Sequence, residues 1–177
     1  MGTKINILKP FFENPNEEFQ IREISRLLNI NPTTVRQYLL KLVKEELIEI
    51  KKGKPYDYFK ANINKKFLNI KLYFNLEKLR ESNLVEQIER DYDYPAIILF
   101  GSYASATDDS KSDVDLFVLS EIKKEEDYSK FESRLNRKIT LHLFSKKKFN
   151  SEKNSNKELL NNVINGITLS GRLEAFE

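Results

Sequence analysis

The chain has 177 residues, 40% of them hydrophobic and 32% charged, which is enough apolar material for a core beneath a heavily solvated surface. With no cysteine and one histidine, His142, a disulfide framework is excluded, a zinc site of the usual Cys/His type is not expected, and Ser-His catalysis has a single base to draw on. The net charge of +3 is too small to identify a nucleic-acid partner, but its distribution is uneven: residues 31–60 hold 7 basic against 4 acidic side chains, and residues 93–177 hold 13 against 14. No apolar run approaches the roughly 20 residues of a membrane span. The opening MGTKINILKPFFENPNEE turns charged too early for a signal peptide, so the expected location is the cytoplasm, with no membrane partner.

Ile5, Leu8 and Phe12 recur at helical spacing before Asn14-Pro15-Asn16, which predicts a first helix and its stop. A second short helix carries Ile21, Ile24, Leu27 and Leu28 on one face. Asn31-Pro32 is a strong start signal, because the Asn side chain caps free amides and Pro suits the first helical position. The helix it opens has Val35, Tyr38, Leu39, Leu42 and Val43 on a buried stripe, and Thr33, Thr34, Arg36, Gln37, Lys41 and Lys44 outside. The run LIEIKKGKPYDYFKA then alternates apolar and polar residues about Gly53, a hairpin with its tip at Lys52 to Pro55. Three helices and a hairpin over residues 1–62 make a winged helix-turn-helix. Its expected partner is double-stranded DNA, with Thr33, Thr34, Arg36 and Gln37 entering the major groove and Lys51, Lys52 and Lys54 of the wing reaching phosphates. Readers of palindromic DNA commonly pair, so a homodimer is expected.

Residues 63–91 are predicted helical, with Phe67, Ile70, Leu76, Leu79, Leu84 and Ile88 inward and a mild interruption at Asn83; residues 63–75 serve as a linker helix. From Pro95 the pattern changes. AIILF is a continuous apolar run expected of a buried strand, VDLFVL is a second and ITLHLF a third. Helices are predicted over 125–136 and, singly or as a pair, over 146–165, where Lys146-Lys147-Lys148 reads as a solvated face. The fold class is therefore a two-domain α+β or α/β chain, the second domain spanning residues 76–177.

The chemistry concentrates in LFGSYASATDDSKSDVDLFVLS, residues 99–120. A strand that ends in Gly-Ser and opens into a helix aims free amides outward, where a phosphate fits; Gly101 permits close backbone approach and Ser102 adds a donor. Asp113 and Asp115 flank Val114, and the two-residue period of a strand puts both carboxylates on one face. Hard oxygens beside a phosphate cradle suit Mg²⁺ on a nucleoside triphosphate such as ATP.

The pair of motifs, GS followed by SDVDLFV, resembles the GSxAxG and SDxDL signature of the polymerase beta-type nucleotidyltransferase superfamily, in particular its minimal nucleotidyltransferases. The resemblance runs from about residue 76 to the C-terminus and implies a small fold with a mixed sheet; with the winged helix in front, the chain is similar to archaeal proteins that join the two modules. It further implies that Gly101 and Ser102 hold the triphosphate, that Asp113 and Asp115 bind metal and are catalytic, and that a nucleotidyl group passes to an acceptor hydroxyl on a protein or small molecule. Such domains often neutralise a HEPN-type RNase partner, which implies an antitoxin role; a nucleotide-sensing transcription factor without turnover is the other reading. Two departures bear on catalysis. Ala104, Ser105 and Ala106 stand where the family pattern has Ala, a basic residue and Gly, so the turn and one phosphate-facing cation are expected to be weakened. Active members carry a third carboxylate on the next strand, whereas the best register here puts Thr140 there, with His142 two residues on; Asp108 and Asp109 are the nearest alternative carboxylates.

Overall fold

In the computed structural model, which describes residues 2–174, the first helix α1 (Gly2–Glu13) buries Ile7, Leu8, Phe11 and Phe12; the side chain of Ile5 lies outside the described residues. The short strand β1 (Glu18–Phe19) follows, then α2 (Ile21–Leu28), whose first turn is tied by the Gln20 amide donating to Glu23 Oε2 at 3.3 Å. Ile24 is the buried residue of α2, while Leu27 is 62% exposed, so the expected apolar face is narrower than its spacing implied. An eight-residue helix has room for little more than two turns of contact. Asn29 ends it in the left-handed region at φ 52°. Asn31 then accepts from the Thr33 amide at 2.8 Å and opens α3 (Pro32–Lys44), with Val35, Leu39 and Leu42 buried as its spacing requires.

The hairpin is β2 (Ile48–Lys51) and β3 (Tyr58–Ala61), antiparallel with Lys51 opposite Tyr58. β1 pairs with the other edge of β3, giving a three-stranded sheet in the order β1-β3-β2. The strand β1 is absent from the sequence expectation because two residues display no period. Phe19 earns its place by packing edge-on against Phe11 at 5.1 Å.

The chain divides into two compact units, Met1–Lys71 and Leu72–Glu177, with the division inside α4 (Lys65–Ser82). Asn83 takes a left-handed conformation at φ 60°, and this breaks the expected helix into α4 and α5 (Leu84–Asp91). The second unit is built on a four-stranded mixed sheet of β4 (Ala96–Phe100), β5 (Val114–Leu119), β6 (Ile139–Phe144) and β7 (Ile167–Ser170), in the order β6-β5-β4-β7. β5 runs parallel to β6 and antiparallel to β4, and β7 is antiparallel to β4. The short helix α6 (Gly101–Ser105) follows β4, α7 (Ser129–Leu135) connects β5 to β6, and α8 (Lys146–Ser155) and α9 (Lys157–Ile164) precede β7.

β4 is apolar at every position because both faces are covered. Ile97 and Leu99 join Val114, Leu116 and Val118 of β5 against Leu79, Leu84, Ile88, Phe131 and Leu135; Ile98 and Phe100 join Phe117 and Phe144 against Phe149, Leu160 and Val163. Phe117 lies 5.2 Å from Phe144 and 5.8 Å from Phe149, ring centre to ring centre. Two sequence expectations change here. The helix expected over 125–136 begins only at Ser129, because the Asp127 carboxylate accepts from the Ser129 amide and hydroxyl at 2.8 and 3.0 Å and starts it there. The strand β7 is absent from the sequence expectation, since ITLS between two glycines is too short to show a period; its pairing with β4 makes it a strand. Among the described residues, no helix is long and apolar enough to cross a membrane.

Candidate functional site

Three strand ends meet where the two motifs lie. Phe100 of β4 is opposite Asp115 of β5, which in turn is opposite Thr140 of β6, so these three share a row across the sheet. Odd positions of β5 face the side covered by α8 and α9, and Asp115 therefore points to the same face as Phe117, away from buried Val114 and Leu116. His142 lies one row further, opposite Phe117, with its ring edge-on to Phe100 at 5.1 Å.

The distances pair these groups off. Thr140 Oγ1 donates to Asp113 Oδ2 at 3.3 Å, and His142 Nε2 stands 3.9 Å from Asp115 Oδ1. Burial holds the Asp115 carboxyl above the usual carboxylate range; His142 pulls it down and the Asp113 charge pushes it up. Two carboxylates crowded at a half-buried strand end favour a bound cation. Asp113 and Asp115 are the residues that could hold one divalent cation such as Mg²⁺, which would supply charge neutralisation for phosphate oxygens.

Gly101 has a role the motif alone does not reveal. Its φ is +74°, and a Cβ built there would lie 2.6 Å from Asp115 Oδ2. The absent side chain thus makes room for the carboxylate, and it brings the Gly-Ser turn directly against Asp115. Ser102 is half-buried beside it. The turn after α6 survives the loss of glycine at Ala106, which takes the left-handed conformation itself at φ 57°, its amide donating to Ser102 O. Ser105, in the place of the family's cation, folds back to share a 2.9 Å hydrogen bond with Thr107 Oγ1.

Neither alternative carboxylate joins the pair. Asp108 is 1% exposed and accepts from Asn75 Nδ2 at 2.8 Å, with Arg137 Nη2 at 3.9 Å; Asn75 also donates to Tyr103 O at 3.1 Å. Asp109 closes its own surface turn by accepting from the Lys111 amide at 2.9 Å and the Ser112 hydroxyl at 3.1 Å, and the Lys111 amide bond is the main cause holding its carboxyl below the usual range. Among the described residues, no group of three or more His, Asp or Glu side chains is placed to hold a metal ion.

In the first unit, Thr33, Arg36, Gln37, Lys41 and Lys44 are exposed along α3 and Thr34 is half-buried. The start of α3 and the wing line one cleft of about 520 Å³, which includes Thr33, Arg36, Lys52 and two residues the sequence reading did not select, Arg22 and Tyr56. Lys51 pairs with Glu18 at 2.7 Å and Lys52 with Asp57 at 2.8 Å, both on the surface. Lys54 is exposed in the wing loop. Lys146, Lys147 and Lys148 are exposed at the start of α8, Lys148 lying 4.0 Å over the Phe144 ring.

Comparison with known proteins agrees with both halves. Residues 82–174, just over half of the chain, match the Polymerase beta, Nucleotidyltransferase family model, and residues 16–49 match a Winged helix-turn-helix DNA-binding model. The chain belongs to the polymerase beta nucleotidyltransferase family. No curated protein matches it. Among solved structures, it is similar to the homodimeric winged helix-turn-helix DNA-binding domain of Mb0332 from Mycobacterium bovis, a candidate ArsR-family transcriptional regulator, at 18% identity and a TM-score of 0.37, over 49% of this chain and 74% of that one. A second, RHA06195 from Rhodococcus sp. RHA1, a candidate transcriptional regulator, matches at 11% identity and a TM-score of 0.33, over 66% of this chain and 41% of that one.

Proposed function

We propose that this chain is a DNA-binding regulator whose nucleotidyltransferase domain binds a Mg²⁺-nucleoside triphosphate and transfers its nucleotidyl group slowly or not at all. The observation that carries the reading is Thr140. It stands beside Asp115 in the sheet and donates to Asp113, at the position where the family resemblance calls for a third carboxylate. A neutral hydroxyl cannot take a proton from an attacking acceptor, and the loss of general-base help typically costs about 10²- to 10⁴-fold in rate. His142 is a base on the same face, yet an imidazole is a poor Mg²⁺ ligand and stands nearer Asp115 than Asp113.

Binding survives this loss on chemical grounds: Asp113 and Asp115 neutralise a metal, and Gly101 and Ser102 offer the phosphate turn. The exposed polar and basic face of α3 and the basic wing support double-stranded DNA as the partner, bound as a homodimer if the site is palindromic. A HEPN-type protein partner, and with it an antitoxin role, belongs to the proposal through the family resemblance.

The test is incubation of the full chain with ATP labelled at the α-phosphate, Mg²⁺ and a HEPN-type acceptor, read as label transferred on a gel. The expected result is faint or no labelling by the wild type and stronger labelling by Thr140→Asp. Efficient wild-type transfer that His142→Ala leaves unchanged would overturn the reading in favour of an active transferase.

A further inference from the structure

A cleft of about 420 Å³ opens beside the Gly-Ser turn. One wall is Phe100, Gly101, Ser102, Ser105 and Thr107; the other is the end of α9, with Asn162 and Asn165. Its volume lies within the range of small-ligand sites, roughly 300–1,000 Å³.

The lining is distinctive in its chemistry. In a chain that is 32% charged, no charged side chain among the described residues lines this cleft; it presents hydroxyls, carboxamides and one aromatic ring. Such a surface does not compensate phosphate charge. It suits a neutral group rich in donors and acceptors, because a carboxamide offers both and matches the edge of a nucleobase or the hydroxyls of a ribose.

The fold holds the two amides there for a reason. Leu160 and Val163 bury one face of α9 against the sheet, which leaves Asn162 and Asn165 exposed. Gly166 lets the helix end press onto β4: a Cβ at that position would lie 2.5 Å from Leu99 O. Asn165 Nδ2 donates to Asn161 O at 2.8 Å, so its amide is fixed and its oxygen is left to accept. The Asn162 side chain makes no hydrogen bond to the described residues.

We infer that this cleft seats the nucleoside part of a bound triphosphate, with Asn162 and Asn165 contacting the base or ribose while the phosphates lie over Gly101 and Ser102 toward Asp113 and Asp115. The inference rests on the reading that those four residues hold the phosphates and metal. Asn162 and Asn165 are then specificity-determining residues outside both motifs.

Calorimetry on the full chain with Mg²⁺ tests it, using ATP, GTP, CTP, UTP and inorganic tripolyphosphate as probes. The wild type is expected to bind at least one nucleotide more tightly than tripolyphosphate. Asn162→Ala with Asn165→Ala should weaken that nucleotide about tenfold, as two neutral hydrogen bonds imply, and leave tripolyphosphate unchanged. Both side chains are exposed, so the variant is expected to fold, which circular dichroism would check. Asp113→Asn with Asp115→Asn should lose both kinds of probe. If the wild type binds tripolyphosphate as tightly as every nucleotide, or Asn162→Ala with Asn165→Ala keeps the wild-type preference, the cleft assignment is overturned and the phosphate site stands. If neither nucleotide nor tripolyphosphate binds, both readings fall.

Discussion

Replacing Gly101 by Ala tests whether the turn and Asp115 form one unit. At φ +74° an L-residue costs about 1–2 kcal/mol. The added Cβ, 2.6 Å from Asp115 Oδ2, also forces that carboxylate to move, although it is half-buried and flanked by Asp113 and His142. A stability loss of at least about 1–2 kcal/mol is expected; at roughly 5 °C per kcal/mol for a domain of this size, the melting temperature falls by about 5–10 °C. The chain has no tryptophan, so far-UV circular dichroism in urea is the suitable readout. Measuring the same substitution in an Asp115→Ala background separates the two contributions, because backbone strain persists there and the collision does not. A coupling of about 1 kcal/mol between the two changes is expected for groups in contact. An equal cost in both backgrounds would show that the collision contributes nothing, and no cost in either would refute the whole argument.

Asp115→Asn should stabilise the protein at pH 7. Burial raises the folded carboxyl above its unfolded value, so the wild type gains stability below about 3.8 and loses it as pH rises through the folded value; the advantage of Asn therefore shrinks in acid, and a pH-independent difference in urea midpoints would contradict this. Asp108→Ala should cost about 3 kcal/mol or more, because it leaves the buried Arg137 charge without a carboxylate and takes an acceptor from Asn75, whereas Asp109→Ala on the surface turn should cost less than about 1 kcal/mol; equal urea midpoints for the two variants would overturn the assignment of Asp108 as a buried anchor. For DNA, Lys54→Ala should weaken binding to all sequences and flatten the plot of log affinity against log salt by about 0.9 units, while Arg36→Ala should change which sequence is preferred; absence of DNA binding at low salt would leave the winged helix as a protein-docking module.

The sequence by itself determined what rests on neighbouring residues. Asn31-Pro32 announces α3 because a cap acts over two or three positions, and the all-apolar AIILF and the largely apolar VDLFVL announce buried strands because burial on both faces leaves little alternation. Asp113 and Asp115 share a face by the geometry of any strand. Everything that depends on which strands become neighbours was left to the tertiary structure. β7 exists only through its pairing with β4, and Thr140 stands beside Asp113 only because β6 packs parallel to β5 in that register. Asp108 and Asp109 are adjacent in sequence and equivalent in composition, yet one is buried against Asn75 and Arg137 and the other closes a surface turn. Asn162 and Asn165 lie some sixty residues from Gly101 in the chain, and no local pattern ties them to it. The reason is general: caps, periods and turns are short-range and written in the sequence, whereas a site is a long-range juxtaposition that the packing of the sheet decides.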